Sequence, residues 1–465
     1  MKATAEILLD EIANDFNQFL KQGVLDTTSF ARKSHPNLNI DNIRKLLRIH
    51  FILTQSDDPE ATGVLDFVRE LPHRLRRIKT AVSHNKNRFE GEVRGRICWK
   101  STIDMRCTEM PKDKINFICQ ERERNFNIPE NLVLKKLLQI IGEILRQDLG
   151  NVDEGYGWIS EWFRDDKPLK KLLEDVFFRN IYIRRVDLNA DVVTPRMIAK
   201  VKKSRKALYR EAAYLLERYN RLMNYEFDEH EARELLQNTF IKPEKTEVLF
   251  ELYWAIKIIN SFKKDNEKLF FQLIEPNQNI IAKWKLGDKR YRLYHNATGS
   301  FRFHEDLTKY CDIEEDDNFI SREIQVLKAL SQLVDRDFEN TLWGGRPDII
   351  LEQYVIGDDG NEQIKAIIIG EVKYTDSRDY AIQGLRELLE YIALVRRKSN
   401  IENGKYIAEK GHLFGELNLN PIPIVGVLFT DKIKGHSFNF DKIPCIFLKQ
   451  FGDEISEIKD KYHSS

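Results

Sequence analysis

Two acids and a lysine lie at the ends of two neighbouring apolar runs in the last third of the chain. Asp348 opens the first run, and Glu371 and Lys373 close the second. The turn-forming residues 358–361 (DDGN) between the runs predict a β-hairpin. In a hairpin, Asp348 lies across the ladder from Glu371, and residues two apart on a strand share one face. The spacing therefore predicts two carboxylates and one ammonium on the same face of a sheet.

This set of groups suits metal-assisted hydrolysis of a phosphodiester. Two carboxylates that are buried together repel each other unless a cation joins them. Oxygen ligands select hard cations, so Mg²⁺ (or Mn²⁺) is the expected cofactor. Such an ion polarises a phosphodiester and lowers the pKa of a bound water. Lys373 would orient or help to deprotonate that water and stabilise the transition-state charge. Alternatively, Asp348 caps a strand, and Glu371 and Lys373 form an ion pair on an edge strand.

The string Pro347-Asp348, followed by Glu371-x-Lys373, resembles the motif of the PD-(D/E)xK nuclease superfamily. The resemblance implies a restriction-endonuclease-like α/β domain in which Asp348, Glu371 and Lys373 are catalytic. It also implies that Asp348 and Glu371 are metal ligands. Many members have Asp at the position of Glu371, and either carboxylate can bind the metal.

The same resemblance implies two further site residues on helices. Superfamily members tend to place an acid on a helix before the sheet, and Glu251 fits that position as a metal ligand. Glu247 on the same helix is the alternative. Gln383, at the start of the helix after the motif, matches a glutamine that some members use near the metal or substrate.

Other segments are similar to McrC-type proteins, the nuclease subunits of modification-dependent restriction systems. The similarity spans roughly residues 85–147 and 240–450. It is carried by Gly95 to Thr102, Ile118 to Arg122, Asn127 to Asn131, Leu249 to Trp254, and Tyr291 to Tyr294. It implies Mg²⁺-dependent DNA cleavage in antiviral defence, often licensed by a partner NTPase. The sequence has neither GxxxxGK[ST] nor GxGxxG, which agrees with an NTPase or AAA+ subunit acting in trans.

Three basic residues near the motif are candidates for nucleic-acid binding. Arg346 stands beside the predicted metal site and is the better candidate for gripping the scissile strand. Lys432 and Lys434 lie in a loop after a predicted strand, where exposed lysines are also common for other reasons. Net charge adds no evidence for DNA, because Lys plus Arg (74) equals Asp plus Glu (74). A balanced total can still conceal a basic face.

Cysteine usage and apolar runs bear on the compartment. Five cysteines without a CxxC pair favour neither disulfides nor zinc and indicate a reducing cytoplasm. The N-terminal sequence does not read as a signal peptide. No stretch approaches the roughly 20 apolar residues of a membrane helix, so a membrane is not an expected partner.

The elements that must position the site follow from apolar periodicity and turn residues. The predicted regions are a helical N-terminal region (1–83), a small mixed α/β region (84–150), a helical spacer (151–240) and the nuclease domain (241–465). In the last region we predict helices at 244–263, 320–335 and 379–398, and strands at 268–274, 279–286, 289–295, 347–355, 364–373, 423–429 and 443–448. Alternation of this kind predicts an α/β domain with a mixed sheet flanked by helices.

The prediction is a metal-dependent endonuclease acting on DNA in restriction or antiviral defence. One alternative is a catalytically inactive nucleic-acid-binding or scaffold subunit with a nuclease-like fold. The other is a stand-alone defence effector that needs no NTPase. The sequence leaves open whether DNA or RNA is cut, which NTPase is the partner and whether the chain forms a homo-oligomer.

Overall fold

The computed structural model divides into two compact units. One unit contains Met1–Leu46 and Tyr225–Ser465, and the other contains Leu47–Asn224. The residues that the structure describes are 2–38, 40–53, 63–75, 78–109, 114–150, 160–163, 168–189, 192–241, 245–263, 270–272, 279–303, 345–357, 360–398, 407, 422–434, 438, 443 and 445–456.

Helices and strands are numbered along these described residues. The α-helices are α1 (Ala5–Lys21), α2 (Thr28–Ser34), α3 (Ile43–Leu53), α4 (Val64–Arg74), α5 (Trp99–Thr108), α6 (Pro129–Gln147), α7 (Ser160–Phe163), α8 (Leu169–Arg179), α9 (Ile181–Arg184), α10 (Pro195–Val201), α11 (Ala207–Met223), α12 (Glu229–Leu236), α13 (Thr246–Lys263) and α14 (Arg378–Leu394). The strands are β1 (Ala81–Glu90), β2 (Arg96–Ile97), β3 (Asn116–Asn125), β4 (Phe270–Phe271), β5 (Ile280–Leu286), β6 (Lys289–His295), β7 (Phe301–Arg302), β8 (Ile349–Ile356), β9 (Glu362–Lys373), β10 (Arg396–Arg397), β11 (Ile424–Thr430) and β12 (Ile446–Gln450).

A seven-stranded mixed sheet forms the centre of the unit that contains the motif. Its strand order is β12-β11-β9-β8-β6-β5-β4. β9, β11 and β12 run parallel, whereas β8, β6, β5 and β4 extend the sheet in antiparallel pairs. The parallel step from β9 to β11 requires a crossover, and α14 lies in that connection. The predicted fold class, a mixed sheet flanked by helices, is confirmed.

Helices cover both faces of this sheet because its central strands are apolar on both sides. On one face, Ile367 and Ile369 of β9 lie in a core cluster with Leu388 and Ile392 of α14. On the other face, residues of β8, β9 and β11 border a small cavity together with Ile258 and Phe262 of α13. Each fully buried side chain of this size contributes about 1.5–3 kcal/mol to stability.

The N-terminal residues belong to the same unit as the sheet, which the sequence did not predict. α1 packs against α12 and α13 through a buried face that includes Leu8, Ile12 and Phe16. On its polar face, the Glu11 carboxylate accepts from α13, where Lys257 Nζ lies 3.0 Å from Glu11 Oε2. The backbone N–H of Asp26 also donates to the Ile281 carbonyl of β5.

The unit Leu47–Asn224 combines a helical core with a three-stranded antiparallel sheet of order β1-β3-β2. Residues 84–88 lie within β1, which pairs with β3 from Ala81↔Asn125 to Glu90↔Asn116. Most of β1 is exposed, so the strand has no apolar alternation for a sequence reading to detect. The segment from Trp99 to Thr108 is the helix α5.

Most predicted elements of the C-terminal region match observed ones within a few residues. The helix predicted at 320–335 lies outside the described residues. In the region predicted as a helical spacer, residues 195–223 form two helices, α10 and α11, separated by Lys202–Lys206. Among the described residues, no helix has the length and apolar character to cross a membrane.

Candidate active site

The β8–β9 hairpin brings the two acids of the motif to neighbouring positions. The register pairs Ile349 with Gly370. Asp348 directly precedes the first of these residues and Glu371 directly follows the second, so they occupy the next position along the ladder. Asp348 is buried, and its Oδ2 accepts a 3.0 Å hydrogen bond from the backbone N–H of Val372. That bond fixes the Asp348 carboxylate against the end of β9.

Lys373 lies between two carboxylates on the same face. Its Nζ is 2.7 Å from Glu371 Oε1 and 2.8 Å from Glu387 Oε2, which α14 provides. Gly384, one turn before Glu387, allows this close approach. A Cβ at Gly384 would lie 2.6 Å from Lys373 Cγ and 3.0 Å from Leu428 Cδ1. The absence of a side chain at this position therefore determines where the lysine stem can run.

A second lysine, Lys33 of α2, joins the other two acids. Its Nζ lies 2.9 Å from Glu251 Oε1 and 2.8 Å from Asp348 Oδ1. Glu251 is buried, whereas Glu247, one turn earlier on α13, is exposed. The helical acid that reaches the motif is therefore Glu251. We call Glu251, Asp348, Glu371 and Glu387 with Lys33 and Lys373 the acidic cluster.

His295, at the end of β6, orients Glu251. Its Nε2 is 2.8 Å from Glu251 Oε2, and its Nδ1 is 2.9 Å from Ser29 Oγ. Its ring stacks on Phe30 with 3.6 Å between centroids. Burial, reinforced by the charge of Lys33, lowers the pKa of His295 to about 3. The ring is therefore neutral, and it can donate from Nε2 to Glu251 and accept the Ser29 hydroxyl at Nδ1.

The acids of the cluster outnumber its lysines by four to two. Burial, followed by repulsion from Asp348, raises the pKa of Glu371 well above its usual value. Burial and the charge of Glu251 raise the pKa of Asp348, and burial raises that of Glu251. Burial alone would lower the pKa of Lys33, but Glu251 and Asp348 together outweigh it and raise that pKa. The lysines therefore stay charged, and the cluster favours a further cation.

A second buried acid on β8 shows what a satisfied carboxylate looks like in this fold. Glu352 accepts hydrogen bonds from Ser300 N at 2.7 Å, from Ser300 Oγ at 3.0 Å and from the Tyr354 hydroxyl. Glu371 differs, because its buried Oε2 has no hydrogen-bond partner. A buried carboxylate oxygen without a donor is costly, and a cation bound beside it would offset that cost.

The donor chemistry of the cluster fits a hard divalent cation. Asp348, Glu371 and Glu251 provide carboxylate oxygens, and one buried oxygen is unsatisfied. Within the described part of the chain, however, no group of three or more His, Cys, Asp or Glu side chains is arranged around one point as metal ligands. The Lys33 ammonium lies where Asp348 and Glu251 would otherwise converge.

The remaining predicted residues lie outside these contacts. Gln383 is exposed on α14, and no hydrogen bond joins it to the cluster in the described structure. Arg346 is exposed two residues before Asp348, and Lys432 is exposed after β11. Lys434 is held by Asp376, with Nζ 2.6 Å from Oδ2. Their roles with nucleic acid stay predictions.

Sequence reasoning did not identify Lys33, Glu387 or His295 as site residues. Glu387 follows Gln383 by four residues, so helical periodicity alone could have identified it as a second polar group on that face. Lys33 gave no such signal, because it lies more than 200 residues from Glu251 in the sequence. Only the packing of α2 on the sheet reveals it.

No protein-family model matches the sequence, and no curated protein matches it either. The chain matches a solved structure described as a refined half-complex from the tetradecameric assembly of Thermococcus gammatolerans McrB AAA+ hexamers with bound McrC. The identity is 11%, the match covers 92% of this chain and 76% of that chain, and the TM-score is 0.22. A superposition at this score does not establish a shared fold.

Proposed function

We propose that this protein is a metal-dependent nuclease that hydrolyses phosphodiester bonds of DNA at the acidic cluster. The observation that supports this most directly is the hairpin register. It places Asp348 beside Glu371, with the Lys373 ammonium 2.7 Å from Glu371 Oε1. The buried Oε2 of Glu371, which accepts no hydrogen bond in the described structure, is further support for a cation site at the cluster.

Asp348, Glu371 and Glu251 would hold Mg²⁺ (or Mn²⁺). When bound, the ion supplies Lewis-acid polarisation of the phosphodiester and a water of lowered pKa. His295 holds the Glu251 carboxylate in one orientation, and the backbone N–H of Val372 does the same for Asp348. The chain therefore presents its carboxylates already fixed, which reduces the cost of ordering them when an ion binds.

Lys373 acts in this proposal as a charged donor and not as a base. Burial lowers its pKa, but Glu371 and Glu387 outweigh burial and raise it above the usual value for lysine. An ammonium that stays protonated cannot accept a proton from water. It can donate hydrogen bonds to the phosphate and stabilise the negative charge that grows in the transition state, an effect typically worth 10²–10³ in rate.

DNA as the substrate and restriction or antiviral defence as the role rest on the sequence motif. Arg346, which is exposed two residues before Asp348, would contact a phosphate near the scissile bond in this proposal. An NTPase or AAA+ partner in trans is part of the proposal because the sequence has no phosphate-binding loop of its own. A stand-alone effector differs from this version only in needing no partner.

A second candidate is a nucleic-acid-binding or scaffold subunit without catalysis. One observation favours it: the Lys33 ammonium takes the place between Glu251 and Asp348, and no three-ligand group stands assembled in the described residues. In that case the two lysines would be permanent counter-ions of the cluster. The acids would then serve the fold and not a reaction.

The test is cleavage by the purified full chain. Plasmid DNA, single-stranded DNA and RNA are incubated with Mg²⁺, Mn²⁺ or EDTA, with and without nucleotide and any AAA+ protein that a neighbouring gene encodes. Asp348→Asn and Lys373→Met should each abolish cutting, and Glu247→Gln, an exposed acid on α13, is the matched control. Cleavage with metal alone supports the stand-alone effector, and cleavage only with the AAA+ protein supports the partnered enzyme. Nucleic-acid binding without cleavage under every condition supports the scaffold and contradicts the nuclease.

A further inference from the structure

Helix α2 meets the acidic cluster through three side chains on one side of the helix. Ser29 contacts His295 Nδ1, Phe30 stacks on the His295 ring, and Lys33, one turn beyond Ser29, reaches Asp348 and Glu251. Phe30 and His295 are both fully buried, so this part of α2 is firmly held. The helix therefore forms a fixed frame from which the Lys33 side chain extends.

The Lys33 ammonium uses the oxygens that a shared ion would need. Asp348 accepts a hydrogen bond from Lys33 at Oδ1 and one from the backbone N–H of Val372 at Oδ2. Glu251 accepts a hydrogen bond from Lys33 at Oε1 and one from His295 at Oε2. The one oxygen of each carboxylate that is turned toward the other acid is thus held by the same ammonium. A divalent ion bridging these two acids and the Lys33 ammonium cannot occupy that place together.

We infer that Lys33 is a built-in cation that closes the metal site and that a divalent ion binds by displacing its ammonium. This rests on the proposed function, because it requires that the cluster bind metal. The lysine stem is long and its side chain is 30% exposed, so the ammonium can swing into water while α2 keeps its contacts with His295. No movement of the helix is required.

The arrangement has a defined consequence for a metal-free nuclease. Without Lys33, Asp348 and Glu251 would face each other with no cation between them, which is strongly unfavourable for buried carboxylates. With Lys33 in place the protein is stable, but metal must compete with an internal ligand. Affinity for the ion is therefore lower than the carboxylates alone would provide, and anything that draws Lys33 away, such as a nucleic-acid phosphate, would raise it.

The test compares Mn²⁺ binding by isothermal titration calorimetry in the parent, Lys33→Met and Lys257→Met. Lys257 is a matched control because it is an ion-paired lysine of the same unit with similar exposure, 33% against 30%. We expect at least a tenfold lower Kd for Lys33→Met, about 1.4 kcal/mol, and no change for Lys257→Met. In the absence of metal, Lys33→Met should also melt at a lower temperature than the parent. Adding Mn²⁺ should bring its melting temperature back to the parent value.

The outcomes separate this inference from the function on which it rests. If the Kd of Lys33→Met for Mn²⁺ is equal to or higher than that of the parent, the displacement of Lys33 is overturned, but the metal site itself is not. No Mn²⁺ binding by either protein, with both folded, overturns the metal site itself. If Lys33→Met does not fold, Lys33→Gln keeps a hydrogen-bonding side chain without the charge, and its Kd is read in the same way.

Discussion

Gly384→Ala should disable the site while leaving the fold nearly intact. Gly384 lies within α14, and an added Cβ would be 2.6 Å from Lys373 Cγ, 2.9 Å from Lys373 Cε and 3.0 Å from Leu428 Cδ1. Real Cβ atoms do not approach other atoms this closely, so a neighbour has to move. The neighbour free to do so is the Lys373 stem, and its ammonium then loses the position between Glu371 and Glu387.

Two opposing effects determine the expected change in stability. Replacing a helical glycine by alanine favours the helix by about 1 kcal/mol. Forcing a methyl group into a packed site costs about 1–3 kcal/mol. The free energy of unfolding should therefore fall by about 0–2 kcal/mol. The rate should fall much more, by roughly 10²–10³-fold, because the transition state loses a positioned charged donor.

Gly142→Ala is the matched control for this substitution. Gly142 is also a helical glycine, in α6, but the nearest atoms to an added Cβ are 3.9 and 4.0 Å away, at Leu173 and Arg146. The free energy of unfolding of Gly142→Ala should rise by about 1 kcal/mol, and this variant should cleave DNA at the parent rate. Calorimetry of both variants and single-turnover cleavage of plasmid DNA measure the two quantities. Parent-level cleavage by Gly384→Ala would refute the assignment of Lys373 to the reaction.

Three further outcomes are expected. Glu251→Gln should weaken Mn²⁺ binding and cleavage by at least about tenfold, whereas Glu247→Gln should match the parent. Equal effects of the two substitutions would contradict the assignment of the buried Glu251, and not the exposed Glu247, as the metal ligand on α13. Because burial and Asp348 raise the pKa of Glu371, the metal-free folded state keeps a proton that the unfolded state releases, so stability should fall as pH rises above 4.5. Urea titrations across pH should show a flatter dependence for Glu371→Gln, and an unchanged slope argues against this cause. Arg346→Ala should weaken DNA binding and reduce its salt slope by about 1 without changing the melting temperature; an unchanged slope would remove it from the interface.

Local sequence patterns were sufficient to predict most strands of the seven-stranded sheet. The apolar centre of β9, the turn residues and the acids at the strand ends together specify a hairpin, and its register then follows from pairing. The same reasoning placed α13 and α14 on either side of the motif. It identified Asp348, Glu371 and Lys373, and the family resemblance added Glu251 with Glu247 as the alternative; the structure brings Asp348, Glu371, Lys373 and Glu251 to one place.

The rest depended on contacts between distant parts of the chain. Lys33 reaches Glu251 across 218 positions, and no periodicity or spacing encodes such a contact. β1 was missed for a different reason, since an exposed strand has no apolar face to produce a pattern. Gln383 satisfied a family motif, but the residue of α14 that touches the lysine is Glu387, one turn further on.

The unit that contains the acidic cluster is assembled from two separate stretches of chain, Met1–Leu46 and Tyr225–Ser465. On the ribosome, α2 and Lys33 emerge long before Asp348 and Glu371 exist. The Lys33 ammonium, which pairs with Asp348 and Glu251, is therefore synthesised before either acid, so neither carboxylate has to be buried before its counter-ion exists.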